Sequence, residues 1–72
     1  MNLLEIEQSE TLRREELARR LHALADALAR HNEIEFDRGG AHFRLAVPDD
    51  VRVKVELEVG DDETELEIEL TW

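Results

Sequence analysis

Cysteine is absent from the 72 residues, which removes disulfides, thiolate metal sites and cysteine nucleophiles from consideration. Lysine occurs once, at Lys54, and serine once, at Ser9. Neither belongs to a glycine-rich phosphate loop or to a nucleophile–base arrangement. The apolar runs are far too short to cross a bilayer, and MNLLEIEQSE carries acids where a signal peptide needs a basic start. The expectation is a cytoplasmic protein. Cations are scarce throughout: 19 acids face 9 Lys plus Arg, for a net charge of −10 and a pI near 4.6. Such a balance argues against a nucleic-acid backbone or an anionic membrane as partner. It is compatible with a basic protein partner or with bound cations.

Arginine supplies eight of the nine cations. Acid-rich composition with Arg favoured over Lys resembles that of proteins from salt-accumulating or GC-rich organisms. The physical consequence is self-repulsion that weakens the compact state and that salt screens. Hydrophobic residues still make up 42% of the chain and are strongly periodic, so order is expected rather than disorder. A single domain, 1–72, fits this length. One core of that size is marginal, and association with other copies is the most available source of further burial.

Alternation dominates what is present. Leu66, Ile68, Leu70 and Trp72 alternate with Glu65, Glu67, Glu69 and Thr71, the signature of a strand with one dry and one wet face. Val51, Val53, Val55, Leu57 and Val59 alternate with Arg52, Lys54, Glu56 and Glu58 upstream. Ala41, Phe43, Leu45 and Val47 form a third run, and Ile34 and Phe36 a shorter one. Arg38-Gly39-Gly40, Pro48-Asp49-Asp50 and Gly60-Asp61-Asp62 read as turns. Leu4 and Ile6 predict a further strand around Asn2–Gln8.

From about Leu12 to Arg30 the period becomes helical. Leu17, Leu21, Leu24 and Leu28 make one stripe, widened by Ala18 and Ala25. Thr11 is a candidate cap. Glu15 and Glu16 suit the positive end of the helix dipole, and Arg30 and His31 the negative end. Glu15–Arg19 and Glu16–Arg20 are acid-first pairs, and Asn32 ends the helix. The fold class read from this is α+β, in the order β-α-β-β-β-β. A single long helix packs on one face of a four- to five-stranded, mainly antiparallel sheet. Matching dry faces sets Val59 opposite Thr64, Lys54 opposite Glu69 and Glu56 opposite Glu67. The same procedure sets Phe36 opposite Ala41, Glu33 opposite Arg44, and Arg44 against Lys54. The wet face is then acidic with a small basic centre.

The ending ELEIELTW at 65–72, the preceding VRVKVELEVGDDET and the helix start Arg14-Glu15-Glu16 together resemble the Amphi-Trp domain family. The resemblance runs over nearly the whole chain. It implies a strand, a helix and a run of strands, of a kind found in haloarchaea and bacteria, and it brings no assigned activity and no functional residues. Arg13 departs from the family's frequent Ser at the helix cap.

Chemistry is sparse. His22 and His31 lack the i,i+4 spacing of a metal pair, and no HExxH motif or EF-hand pattern is present. His42, expected beside Glu35 and Glu56, is the one candidate for a divalent metal, but a solvated His among acids is the simpler reading. Asp49-Asp50 and Asp61-Asp62-Glu63 are better read as turns than as cation loops. Glutamates on an open sheet face give no asymmetry to drive two pKa values apart, so no enzyme is expected. Trp72 is either a plug over the helix–sheet seam or an anchor across a subunit boundary. Arg44, Arg52 and Lys54 either balance the acidic sheet or receive acids from another subunit. The functional expectation is a non-enzymatic interaction module without cofactor or metal, self-associating or bound to a protein partner, and adapted to high salt. The alternative is a small ligand- or cation-binding protein using the acidic sheet face.

Overall fold

The computed structural model describes residues 4–72. It contains one helix, α1 (Arg14–Arg30), followed by four strands: β1 (Glu33–Arg38), β2 (Ala41–Ala46), β3 (Arg52–Val59) and β4 (Thr64–Thr71). The class is α+β, but the strands do not join into one meander. They form two antiparallel hairpins, β1–β2 and β3–β4, each a separate two-stranded sheet.

The helix begins two residues later than its periodicity predicts. Arg13 occupies the N-cap in extended backbone (φ −67, ψ 146) and makes no side-chain cap hydrogen bond, since a guanidinium has no acceptor to offer. Thr11, the expected cap, lies outside the helix. At the other end the His31 N–H donates to the Ala27 carbonyl, and Asn32 follows at φ 52. A left-handed Asn just past the C-cap is a standard helix stop.

The first hairpin corrects the expected register by two residues. Phe36 lies opposite Phe43, Glu35 opposite Arg44 and Asp37 opposite His42, not Phe36 opposite Ala41 or Glu33 opposite Arg44. The reason is the turn. Gly39 and Gly40 adopt φ 57 and 82, the pair of positive values that a two-residue type I′ loop requires and that glycine supplies without a Cβ clash. The second hairpin has the expected register, with Lys54 opposite Glu69, Glu56 opposite Glu67 and Val59 opposite Thr64. Gly60 closes it by donating its N–H to the Glu63 carbonyl at 2.8 Å, and a Cβ at Gly60 would lie 3.3 Å from that same oxygen.

Leu4–Gln8 carry no strand; Asn2 and Leu3, the rest of the expected first strand, lie outside the described residues. The stretch reaches β1 through side chains instead. Arg38 Nη1 donates to the Glu7 carbonyl (2.7 Å) and Gln8 Nε2 to the Asp37 carbonyl (3.2 Å).

Packing between these pieces is thin. The helix touches β1, and neither the helix nor the first hairpin touches β3–β4. Among the described residues none is buried. The radius of gyration is 14.2 Å, against about 11 Å for a compact chain of this length. The surface is 7047 Å², where a compact 8.4 kDa chain exposes about 4,600 Å². The excess is about 2,400 Å².

Candidate interaction surface

Among the described residues the most exposed apolar face is the dry face of β3–β4. Its register stacks Val53 on Leu70, Val55 on Ile68 and Leu57 on Leu66, with Val59 beyond them. These side chains form one apolar ladder, yet Val55, Leu57 and Leu66 are each about two-thirds exposed (64, 67 and 64%). An isolated two-stranded hairpin is marginal at best in water. Covering a Val, Leu or Ile side chain contributes about 1.5–3 kcal/mol, so covering this ladder would add substantial stabilisation. Trp72 follows β4 and is half exposed. The strand that delivers it makes no contact with α1, so no seam between α1 and β4 lies under Trp72 for it to plug.

A second apolar surface lies on the helix. Leu17, Leu21 and Leu24 remain exposed, while Ala27 and Leu28, nearer β1, are half-buried. The stripe is thus covered at its C-terminal end and open over its first two turns. Between α1 and β1 sits an open cleft of about 460 Å³ lined by Arg20, Leu24, Ala27, His31, Glu33 and Ile34.

The charged candidates are dispersed. Arg44 on β2 pairs with Glu35 (Nε–Oε1 3.4 Å) and Glu33 (4.0 Å). Lys54 and Arg52 lie on β3, away from Arg44 because β2 and β3 are not neighbours. Lys54 Nζ is 3.8 Å from Glu56, and Arg52 makes no ion pair among the described residues. The basic centre expected on a continuous sheet is therefore not assembled within one chain. For the same reason His42 does not sit beside Glu56. Its Nδ1 pairs with Asp37, and its Nε2 is 3.9 Å from Glu35. Among the described residues no group of three His, Cys, Asp or Glu is placed to hold a metal.

Several ion pairs have no counterpart in the sequence reading, two of them on the helix. Arg20 reaches Glu10 (2.7 Å), ahead of the helix, as well as Glu16 (3.4 Å), the expected i,i+4 partner. Arg19 bonds Glu16 through Nε (2.9 Å) instead of Glu15. The hydrogen bond and charge of Glu10, with a smaller part from Glu16, raise the Arg20 guanidinium above its ordinary value. Nothing in helical spacing points to Glu10, which lies outside the repeat. The Asp37–His42 pair follows from the two-residue loop at Gly39-Gly40.

The Amphi-Trp domain family model matches residues 1–72, the whole chain. The chain belongs to the Amphi-Trp domain family. This is a family of unknown function, and the ladder and Trp72 are the amphipathic features that the sequence resemblance rested on. No curated protein and no solved structure matches the chain. Among the described residues of this Amphi-Trp domain, no helix is long and apolar enough to cross a membrane.

Proposed function

We propose that this Amphi-Trp domain is a non-enzymatic interaction module that self-associates and works at high ionic strength. One observation carries the reading: the uncovered apolar ladder of β3–β4, from Val53–Leu70 to Val59. A face of this size left in water is a protein interaction site or an aggregation hazard. The wet face of the same hairpin supports an environment rich in salt, because Glu56 faces Glu67 and Glu58 faces Glu65. Like charges directly opposite one another weaken a strand pair, and salt screens them. The net charge of −10 supports a protein partner over nucleic acid or an anionic membrane.

The ligand- or cation-binding alternative is weakened, since the continuous acidic sheet that would join His42 to Glu56 is not formed among the described residues. The reading is tested by solution mass from light scattering, in dilute buffer and in roughly 2 M KCl, where the screening length falls below about 3 Å. A dimer or larger species, more populated in KCl, is expected. A folded monomer in both buffers overturns self-association.

A further inference from the structure

We propose that two copies associate by exchanging their β3–β4 hairpins, each hairpin laying its apolar ladder on the other copy's helix stripe and docking β3 beside the other copy's β2. This rests on the self-association reading and specifies its geometry.

Donor and acceptor are both present in one chain. The ladder of Val55, Leu57, Leu66 and Ile68 is open, and so is the stripe of Leu17, Leu21 and Leu24. Two copies related by a two-fold axis then satisfy each other reciprocally, which closes the assembly. The edges agree with this. Among the described residues of one chain β2 pairs only with β1 and β3 only with β4, leaving one edge of each open for a four-stranded sheet built from two chains.

The connector directs the exchange. Val47 is still tied to the first hairpin, its N–H donating to the Asn32 carbonyl at 2.8 Å. Residues 47–51 then run to β3 with a single bend at Asp49 and no hydrogen-bonded turn, so the chain leaves the first layer instead of folding back beside β2. Pro48 fixes its own φ, which stiffens the connector where it leaves the first hairpin. Short constrained hinges of this sort favour swapped over closed arrangements.

Charge selects helix over hairpin as the cover. Residues 47–72 hold ten acids and two cations, Arg52 and Lys54, whereas residues 1–46 hold nine acids and seven cations. Ladder-on-ladder packing would bring together two segments of net charge −8. Exchange sets each such segment against one of net charge −2 that carries most of the arginines. The area is also adequate. An excess of about 2,400 Å² per copy relative to a compact chain amounts to about 4,800 Å² for two, within the range of permanent dimers.

The absence of cysteine allows a direct test. Leu21→Cys chains and size-tagged Val55→Cys chains are refolded together and treated with a short bis-maleimide, with native mass measured in parallel. Exchange predicts a covalent tagged–untagged heterodimer on a denaturing gel, and a covalent dimer from the Leu21→Cys/Val55→Cys double variant. A double variant that links only within its own chain overturns the proposal in favour of a closed single-chain sheet. A Val55→Cys chain that links to itself, with no heterodimer, overturns it in favour of ladder-on-ladder packing. A native dimer without the 21–55 link rejects exchange and leaves self-association standing, whereas a native monomer rejects both. If either variant fails to fold, Leu24→Cys with Ile68→Cys places the same test one turn along the helix and on the opposite strand of the same rung, and the same outcomes decide.

Discussion

The two hairpins of this domain are built from the same alternation and end in different situations. The first, β1–β2, is short, closed by a Gly-Gly loop, and leans on the helix through β1, where Glu33 and Ile34 are half-buried. The second, β3–β4, is longer and more regular, with every strand position from Arg52 to Val59 exposed. Alternation thus reports that a strand has a dry face. It does not report what covers that face. In the first hairpin the chain's own helix covers the start of β1 at Ile34, while Phe36 and Leu45 stay exposed. In the second no cover is present among the described residues, and the proposed second copy would supply it, because a hairpin that buries nothing has no means of offsetting its conformational entropy.

The contrast is broken most severely by placing a charge on the ladder. Ile68→Asp is expected to raise the dimer dissociation constant at least a hundredfold, about 3 kcal/mol, because an unpaired carboxylate would have to be buried. Analytical ultracentrifugation checks this, and unchanged association would show that the ladder is not the contact surface. Trp72→Ala is a milder cut. A half-exposed Trp beside the ladder is suited to anchoring an interface, so the expected loss is about 1–2 kcal/mol in association, with little change in the helical circular dichroism of the monomer that forms. Melting of the helix at every concentration would instead assign Trp72 to the interior of a single chain. The smallest effect is on the wet face. Glu67→Lys replaces the like-charge pair with Glu56 by an opposite pair and is expected to stabilise the hairpin by about 0.2–1 kcal/mol in dilute buffer. That gain should shrink in KCl, as thermal melts at two salt concentrations would reveal.

Much of the local structure is legible in the sequence. The helix stripe from Leu17 to Leu28, the Asn32 stop, the Gly39-Gly40 turn and the whole register of β3–β4 follow from period and turn chemistry. The register of β1–β2 does not follow from dry-face matching alone, which sets either Ala41 or Phe43 opposite Phe36. Two glycines at positive φ allow a two-residue loop, and that loop fixes Phe36 against Phe43 and Asp37 against His42. The single sheet depends on a reversal at Pro48-Asp49-Asp50, whose composition suits a turn although its backbone does not make one. Turn residues permit reversal; they do not compel it. The candidate surface was legible as a list of apolar positions, while the separation of Arg44 from Arg52 and Lys54 depends on tertiary placement that no local pattern encodes.

The most direct test of the central claim is amide hydrogen exchange of Arg52–Val59 and Thr64–Thr71 as a function of protein concentration. If the ladder is covered by a second copy, these amides are protected at high concentration and lose protection on dilution below the dissociation constant, while α1 and β1–β2 change less. Protection of β3–β4 that is strong and independent of concentration would contradict the account, because the cover would then lie within a single chain.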